Sequence, residues 1–397
     1  VHFMQPHSLL HRALGFFFVI IILWGICILT TNLLHIPSPS KLLGLGLELT
    51  PPSKSSSYFD ARSISPAPSV RPLTQHPIKL DLLIPWKNGA TLSLNEFLKE
   101  THTNAIVVLH ENKIVYERYF NGYTESSLLP SYSVSKAILA TLVGIAIDEK
   151  RIASINSDVR PMLPNEIRHQ YPYPIRTWDL LNMRAGIAIP ETYDSIFSKI
   201  AEMYISTDLR RFITSIPSPS GHPGARFEYR SAEYLLLGEV LRQATGQSLS
   251  SYLQKSIWHP MGAAYDATWS LDSSTSGIEK AFCCINARAS DYARFGLLYL
   301  NEGIWNGKRI VPADWIRRTR IPTGYRESLG YSHGWWIPPK SSKDGDFSAI
   351  GIYGQYVYIN PTKRTVIVKL SDHGAEADEI LTLQAFQKIS QSIQQKY

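Results

Sequence analysis

Cysteine is nearly absent: Cys27, Cys283 and Cys284 are the only three in 397 residues. Cys27 lies in an apolar N-terminal segment, and adjacent cysteines rarely bridge each other without strain. Neither a disulfide framework nor a bond between Cys283 and Cys284 is therefore expected. No Cys-x-x-Cys pair is present for metal or redox work, and no zinc-ligand spacing occurs. The chain also lacks any run of five or more basic residues, so its formal charge of +7 gives little support for nucleic-acid binding. A mild excess of Lys and Arg serves solubility or attraction to anionic surfaces. There is no internal repeat. Neither a metal nor a cofactor is expected.

Charge is missing altogether from Ala13 to Thr30, an apolar stretch of 18 residues. As a helix this spans about 27 Å, close to a bilayer core. Arg12 precedes it and no Lys or Arg follows until Lys41, which places the N-terminal side in the cytoplasm. A cleaved signal peptide is the competing reading, but the run is long and no small-x-small site follows it. Residues 1–34 are thus expected to be an uncleaved signal anchor in the inner membrane, with the rest of the chain on the periplasmic side. Few cysteines suit that setting. From 35 to 75 the composition turns to Pro, Ser and Gly, which predicts an extended linker. Residues 76–397 are left as the folded domain.

Within that domain, Ala105 to Phe120 predicts a hairpin turning at Glu111-Asn112, with His110 structural. Helical spacing marks Ser231–Thr245 and Ser290–Leu300. Strands return at Trp335–Ile337, Gln355–Asn360 and Thr365–Ser371, and a helix from about Ala377 to Gln395 closes the chain. Strands at both ends around a helical middle predict an α+β fold: an antiparallel sheet built from both termini, flanking helices and a mostly helical subdomain.

The stretch Pro130-Ser-Tyr-Ser133-Val-Ser-Lys136 opens a long apolar helix. Ser133 and Lys136, three apart, lie on one helix face. A hydroxyl at a helix N-terminus meets free N–H groups and the positive end of the dipole. A lysine in apolar surroundings is pushed towards its neutral form and becomes a base. These are the parts of an activated serine. An N-cap serine and a solvated lysine give the same pattern, however, and a second Ser-x-x-Lys at Ser38–Lys41 has no apolar helix behind it.

Proton transfer to a leaving group and donors for an oxyanion are also needed. Tyr229, in Phe227-Glu-Tyr229-Arg-Ser231, is a candidate for the first, since a phenol helps near neutral pH beside a cation such as Lys136. With 21 tyrosines, simple packing is its plainer role. Gly351-Ile-Tyr353-Gly-Gln355 is a candidate for the second: glycine permits close approach, and the N–H of Gln355 can pair with that of Ser133. A turn before a strand is the plainer reading there.

The ordered set Ser133-Val-Ser-Lys136, Tyr229-x-Ser231 and a glycine-led strand resembles the serine hydrolases related to class C β-lactamases and penicillin-binding proteins. Thr177-Trp-Asp-Leu-Leu-Asn-Met-Arg-Ala-Gly186 and Ala289–Gly303 with Trp305-Asn-Gly-Lys-Arg-Ile310 match further family stretches. The resemblance covers about 76–397 and is greatest to the 6-aminohexanoate-dimer hydrolase type. It implies a β-lactamase/transpeptidase-like fold and an acyl-enzyme. Ser133 attacks a carbonyl, Lys136 takes its proton and Tyr229 relays one to the leaving group. It also implies an oxyanion hole from the backbones of Ser133 and Gln355, and substrate contacts at Tyr193, Ser231 and Tyr353. Two departures stand out. The family's Lys or His, small residue, Gly motif reads Ile352-Tyr353-Gly354, without a cation, and Cys283-Cys284 replaces a glycine pair. An ester or amide is therefore the expected small-molecule substrate. A β-lactamase or D-amino-acid peptidase, and a non-catalytic envelope sensor, are the alternatives.

Overall fold

The alternating apolar residues near the C-terminus become the centre of the main sheet. The computed structural model describes residues 6–46, 50–70, 72–193, 195, 197–217, 219, 221–339, 344–374 and 378–395. The strands that matter are β1 (Ala61–Ile64), β2 (Thr74–Gln75), β3 (Thr103–His110), β4 (Lys113–Tyr119), β5 (Leu129–Pro130), β6 (Ala267–Ser270) and β7 (Ile285–Ala287). They continue with β8 (Gly324–Arg326), β9 (Leu329–Ser332), β10 (Trp335–Ile337), β11 (Phe347–Gly351), β12 (Gln355–Asn360) and β13 (Thr365–Ser371). The principal helices are α1 (Pro6–Leu33), α2 (Val134–Asp148), α3 (Ser231–Thr245), α4 (Ala289–Leu300) and α5 (Glu379–Gln394).

Among the described residues, nine strands form the main sheet in the order β8-β9-β10-β11-β12-β13-β3-β4-β2. β13 joins the C-terminal meander to the N-terminal hairpin, pairing Ile367 with Val108 and Val368 with Val107. The sheet is thus assembled from both ends of the chain, antiparallel except where β2 runs parallel to β4. Side chains alternate across a strand. Val357 and Val366 close on Gly296 of α4, whereas Tyr356 and Tyr358 pack on Phe386 of α5. α4 therefore lies on one face and α5 on the other. His110 is structural: its ring Nδ1 lies 3.1 Å from Lys363 O.

Helix α2 runs through the middle of the domain. Every residue from Val134 to Ala146 is buried, as befits a helix apolar on all sides. Each fully buried Leu or Ile is worth about 1.5–3 kcal/mol, so this helix is a fixed platform. It ends at Glu149 and Lys150, the latter with φ 62°.

Three expectations need correction. Residues 35–75 are not a free linker: a helix at Pro39–Gly46, a turn of 3-10 helix at Pro52–Tyr58 and strand β1 lie within them. Ser53 donates from N and Oγ to Asp372 at 2.7 and 2.6 Å, and Ser55 Oγ lies 2.8 Å from Tyr132 Oη. Serine-rich composition reads as solvated, but here the two serines are buried and find partners from distant parts of the chain. Secondly, a four-stranded sheet, β1-β6-β7-β5, adjoins the first; strands of two to four residues leave too little alternation to be seen in sequence. Thirdly, Cys283 and Cys284 are bonded to each other.

Lys369 is buried on the α5 side of the sheet, where Nζ donates to Ser371 Oγ at 2.6 Å. Burial pulls its ammonium down to about 7. In the unfolded chain the lysine keeps its proton at higher pH, so folding is favoured as pH rises from about 7 to the unfolded value near 10.4, and that gain disappears as pH falls through 7. Lys369→Met is expected to flatten the rise of Tm across this window. An unchanged slope in calorimetry would contradict the assignment.

Candidate active site

The turn before α2 sets the site. Tyr132 has φ 43°, which turns the chain sharply so that Ser133 stands at the head of the helix. Ser131 anchors this turn: its N donates to Ile285 O at 2.7 Å and its Oγ accepts from Ile285 N at 3.1 Å. On the other side, Tyr132 Oη donates to Pro52 O at 2.8 Å. The segment that follows α1 thus braces the residue preceding Ser133.

Ser133 occupies the N-cap position of α2, yet its side chain caps no backbone N–H. Its Oγ lies 2.8 Å from Lys136 Nζ. Lys136 is 1% exposed and donates a second hydrogen bond, also 2.8 Å, to Phe282 O. The plainer reading of a capping serine and a solvated lysine therefore fails for this pair. Phe282 directly precedes the Cys283–Cys284 bridge, and Trp269 Nε1 donates to Cys283 O at 3.0 Å. Gly334 presses against the same turn of α2: a Cβ there would lie 2.8 Å from Lys136 O.

Tyr229 completes the group. Its ring centre is 5.3 Å from Lys136 Nζ, with Trp336 at 5.3 Å and Tyr331 edge-on at 5.8 Å. The flanking backbone is fixed to the loop 182–187, where Glu228 N donates to Met183 O at 2.9 Å. That loop is held in turn by Glu233, whose carboxylate accepts from Ala185 N at 3.1 Å. Burial drives the Glu233 carboxyl well above its usual range, against the pull of these backbone donors.

The glycine-led segment is the turn of a β11–β12 hairpin rather than the head of one strand. Gly351 ends β11 and pairs with Gln355, the first residue of β12. The backbone that closes on Ser133 is that of Gly351: a Cβ there would lie 2.7 Å from Ser131 O and 3.1 Å from Ser133 N. Gln355 sits across the hairpin, and its side chain is spent on the turn and on β13, donating to Tyr353 O and Ser371 O at 3.1 and 2.8 Å. Gln355 is thus not the residue facing Ser133. The Lys/His-small-Gly pattern accordingly falls on Ala349-Ile350-Gly351, again with no cation.

Of the other candidates, Tyr353 lies beside the site at φ 66°, its ring edge-on to Tyr132 at 5.1 Å. Tyr193 and Ser231 are brought together by Glu191, which the sequence reading did not single out. Its carboxylate accepts from Ser231 N at 2.6 Å, from Ser231 Oγ and from Tyr193 Oη. The Ser231 hydroxyl is therefore committed to Glu191 instead of standing open to a substrate. Phe282 O, Gly334 and Glu191 were missed; only Glu191, two residues before Tyr193, had a side chain that could have signalled it.

The beta-lactamase family model matches residues 96–386. A 6-aminohexanoate-dimer hydrolase of Paenarthrobacter ureafaciens is 28% identical over 301 residues, covering 70% of this chain and 74% of that protein. Among solved structures, a 6-aminohexanoate-dimer hydrolase homologue of Bacillus anthracis superposes with a TM-score of 0.76 at 24% identity, covering 85% of this chain and 92% of the other. A family VIII carboxylesterase gives a TM-score of 0.58 at 18% identity, covering 74% and 94%.

Proposed function

The chain belongs to the beta-lactamase family and is a serine hydrolase, and from that premise we propose that Ser133 is its nucleophile, acting on an ester or a linear amide. The observation that carries this is the 2.8 Å approach of Ser133 Oγ to a buried Lys136 Nζ. Ser133 Oγ attacks the carbonyl carbon while its proton passes to Lys136. Phe282 O holds the amine in line throughout. Along a strand, successive N–H groups point to opposite edges. With Gly351 paired to Gln355 across the hairpin, this alternation would turn the next N–H, that of Ile352, towards Ser133. The N–H groups of Ser133 and Ile352 receive the oxyanion, and no side chain at 351 obstructs it. Collapse of this intermediate breaks the bond to the leaving group, which takes a proton through Tyr229. Water then attacks the acyl-enzyme and Ser133 recovers its proton.

The missing cation at Ala349 favours esters and linear amides over β-lactams. A substrate panel tests this: turnover of esters or linear amides is expected, with no stable labelling by a fluorescent penicillin. Strong penicillin labelling without ester or amide turnover would reverse the assignment. Tyr229→Phe keeps the ring packing but removes the proton path, and is expected to lower kcat by about 100-fold, least for esters with good leaving groups. Equal loss for poor and good leaving groups would argue against a relay.

The proposal extends to placement. α1 is long and apolar enough to cross a membrane, and from Leu14 to Leu33 nearly all its side chains are exposed. A single-pass anchor with the hydrolase on the periplasmic side fits this. Because residues 35–46 and 50–64 pack on the domain, with Thr207 N donating to His35 O at 2.8 Å, the hydrolase would sit close to the bilayer. Washing membranes with carbonate should leave the protein in the pellet; release into the wash would count against an anchor.

A further inference from the structure

The Cys283–Cys284 bridge lies between two anchors of the site. Immediately before it, Phe282 O accepts from Lys136 Nζ at 2.8 Å. Immediately after it, Ile285 holds the turn that carries Ser133: Ser131 N donates to Ile285 O at 2.7 Å, and Ile285 N donates to Ser131 Oγ at 3.1 Å. The base and the turn of the nucleophile are thus tied to one short segment, on opposite sides of the bonded pair. A rotation of the 283–284 peptide shifts one anchor against the other.

The backbone at this point has a conformation that side chains disfavour. Cys284 has φ 76°, the largest positive value among the described non-glycine residues. Glycine adopts left-handed backbone of this kind freely, whereas a residue with a Cβ does so at a steric cost. Hydrogen bonds hold the carbonyls on either side: Trp269 Nε1 donates to Cys283 O and Ser270 N to Cys284 O, both at 3.0 Å. They fix where the peptides sit but leave the cost at Cys284 in place. A bond between the two side chains acts on that torsion directly. It closes a small ring that includes the 283–284 peptide and restricts the rotations by which Cys284 would return to negative φ. Both cysteines are buried, so the bridge works through the backbone it locks.

We infer that the Cys283–Cys284 bridge is a positioning element for catalysis: by locking Cys284 in its left-handed conformation it keeps the Phe282 carbonyl on the Lys136 amine, and that amine on Ser133 Oγ. The inference rests on the roles given above to Ser133 and Lys136. The two sulfurs take no part in the reaction and set the spacing between residues that do. Glycine at 284 would reach the same backbone without a bond, whereas an unbonded cysteine there would not hold it.

The test separates the bond from the conformation it imposes, using the full chain and a nitrophenyl ester. Hydrolysis that is lost in Ser133→Ala establishes the roles on which the inference rests; hydrolysis that survives in Ser133→Ala counts against that reading and the inference together. Cys283→Ser changes size little, breaks the bond and leaves a side chain at 284. It should lower kcat by about 10- to 100-fold with KM nearly unchanged, as for a displaced base. Cys283→Ser/Cys284→Gly also lacks the bond but frees φ at 284, and should regain most of the lost kcat. A bridge that served stability alone would give another pattern, because glycine loosens the chain further. Tm would then fall most in the double variant, and kcat measured well below Tm would be no higher there than in Cys283→Ser, which overturns the inference. Full activity of Cys283→Ser, or a loss confined to KM, overturns it too. Should Cys283→Ser fail to fold, the double variant decides: most of the parent kcat supports the inference, and a folded but inactive chain overturns it. Iodoacetamide treatment of the denatured parent without reductant should modify Cys27 alone. Uptake at Cys283 and Cys284 would mean that the bond is absent and would equally overturn the inference.

Discussion

Replacing Lys136 by methionine is expected to lower kcat for a nitrophenyl ester by about 1,000- to 10,000-fold while KM changes little. Methionine fills nearly the same buried volume, so the platform of α2 should persist. What disappears is the only amine within 2.8 Å of Ser133 Oγ among the described contacts, and with it the means of removing the hydroxyl proton. Phe282 O loses its donor too. An orphaned buried carbonyl costs about 1–3 kcal/mol, so Tm should fall by a few degrees, and rates should be measured well below it. Lys136→Arg separates charge from basicity. The guanidinium keeps the positive charge but does not give up its proton near neutral pH, so this variant should be about as impaired as the methionine one. An arginine variant that retained most of the activity would mean that the lysine acts only as a fixed charge.

The second large effect is expected at Gly351. An alanine there would place its Cβ 2.7 Å from Ser131 O and 3.1 Å from Ser133 N, closer to an oxygen than real side chains come. Either the β11–β12 turn moves away or the Tyr132 turn does. Each movement separates the two N–H groups proposed to hold the oxyanion, and loss of one such donor costs about 100- to 1,000-fold. Gly351→Ala should therefore reduce kcat by that order, with a milder loss of thermal stability. Full activity would place the oxyanion donors elsewhere.

The elements with strong periodicity were readable in the sequence. Helix α2, helix α3 with its Gly246 stop, strand β13 and the β3–β4 hairpin all follow from runs of apolar residues long enough to show their period. The Ser133–Lys136 pair was readable because three residues on a helix fix the distance between two side chains. What stayed hidden depends on contacts made by backbone or by distant segments. Phe282 O carries no side-chain signature, and Gly334 approaches α2 only because the sheet folds back upon it. The choice between Gly351 and Gln355 turns on hairpin register, which a stretch containing two glycines leaves open. The packing of Ser53 and Ser55 depends on Asp372 and Tyr132, far away along the chain. Composition alone therefore described that region as a free linker.

The central claim is that Ser133 is the nucleophile of an acyl-enzyme. It is tested most directly by treating the full chain with a fluorophosphonate probe and locating the adduct by peptide mass spectrometry. One probe per chain is expected, on Ser133, with parallel loss of ester hydrolysis. Ser133→Ala should abolish both while leaving Tm close to that of the parent. An adduct on any other residue, or hydrolysis that persists in Ser133→Ala, would contradict it.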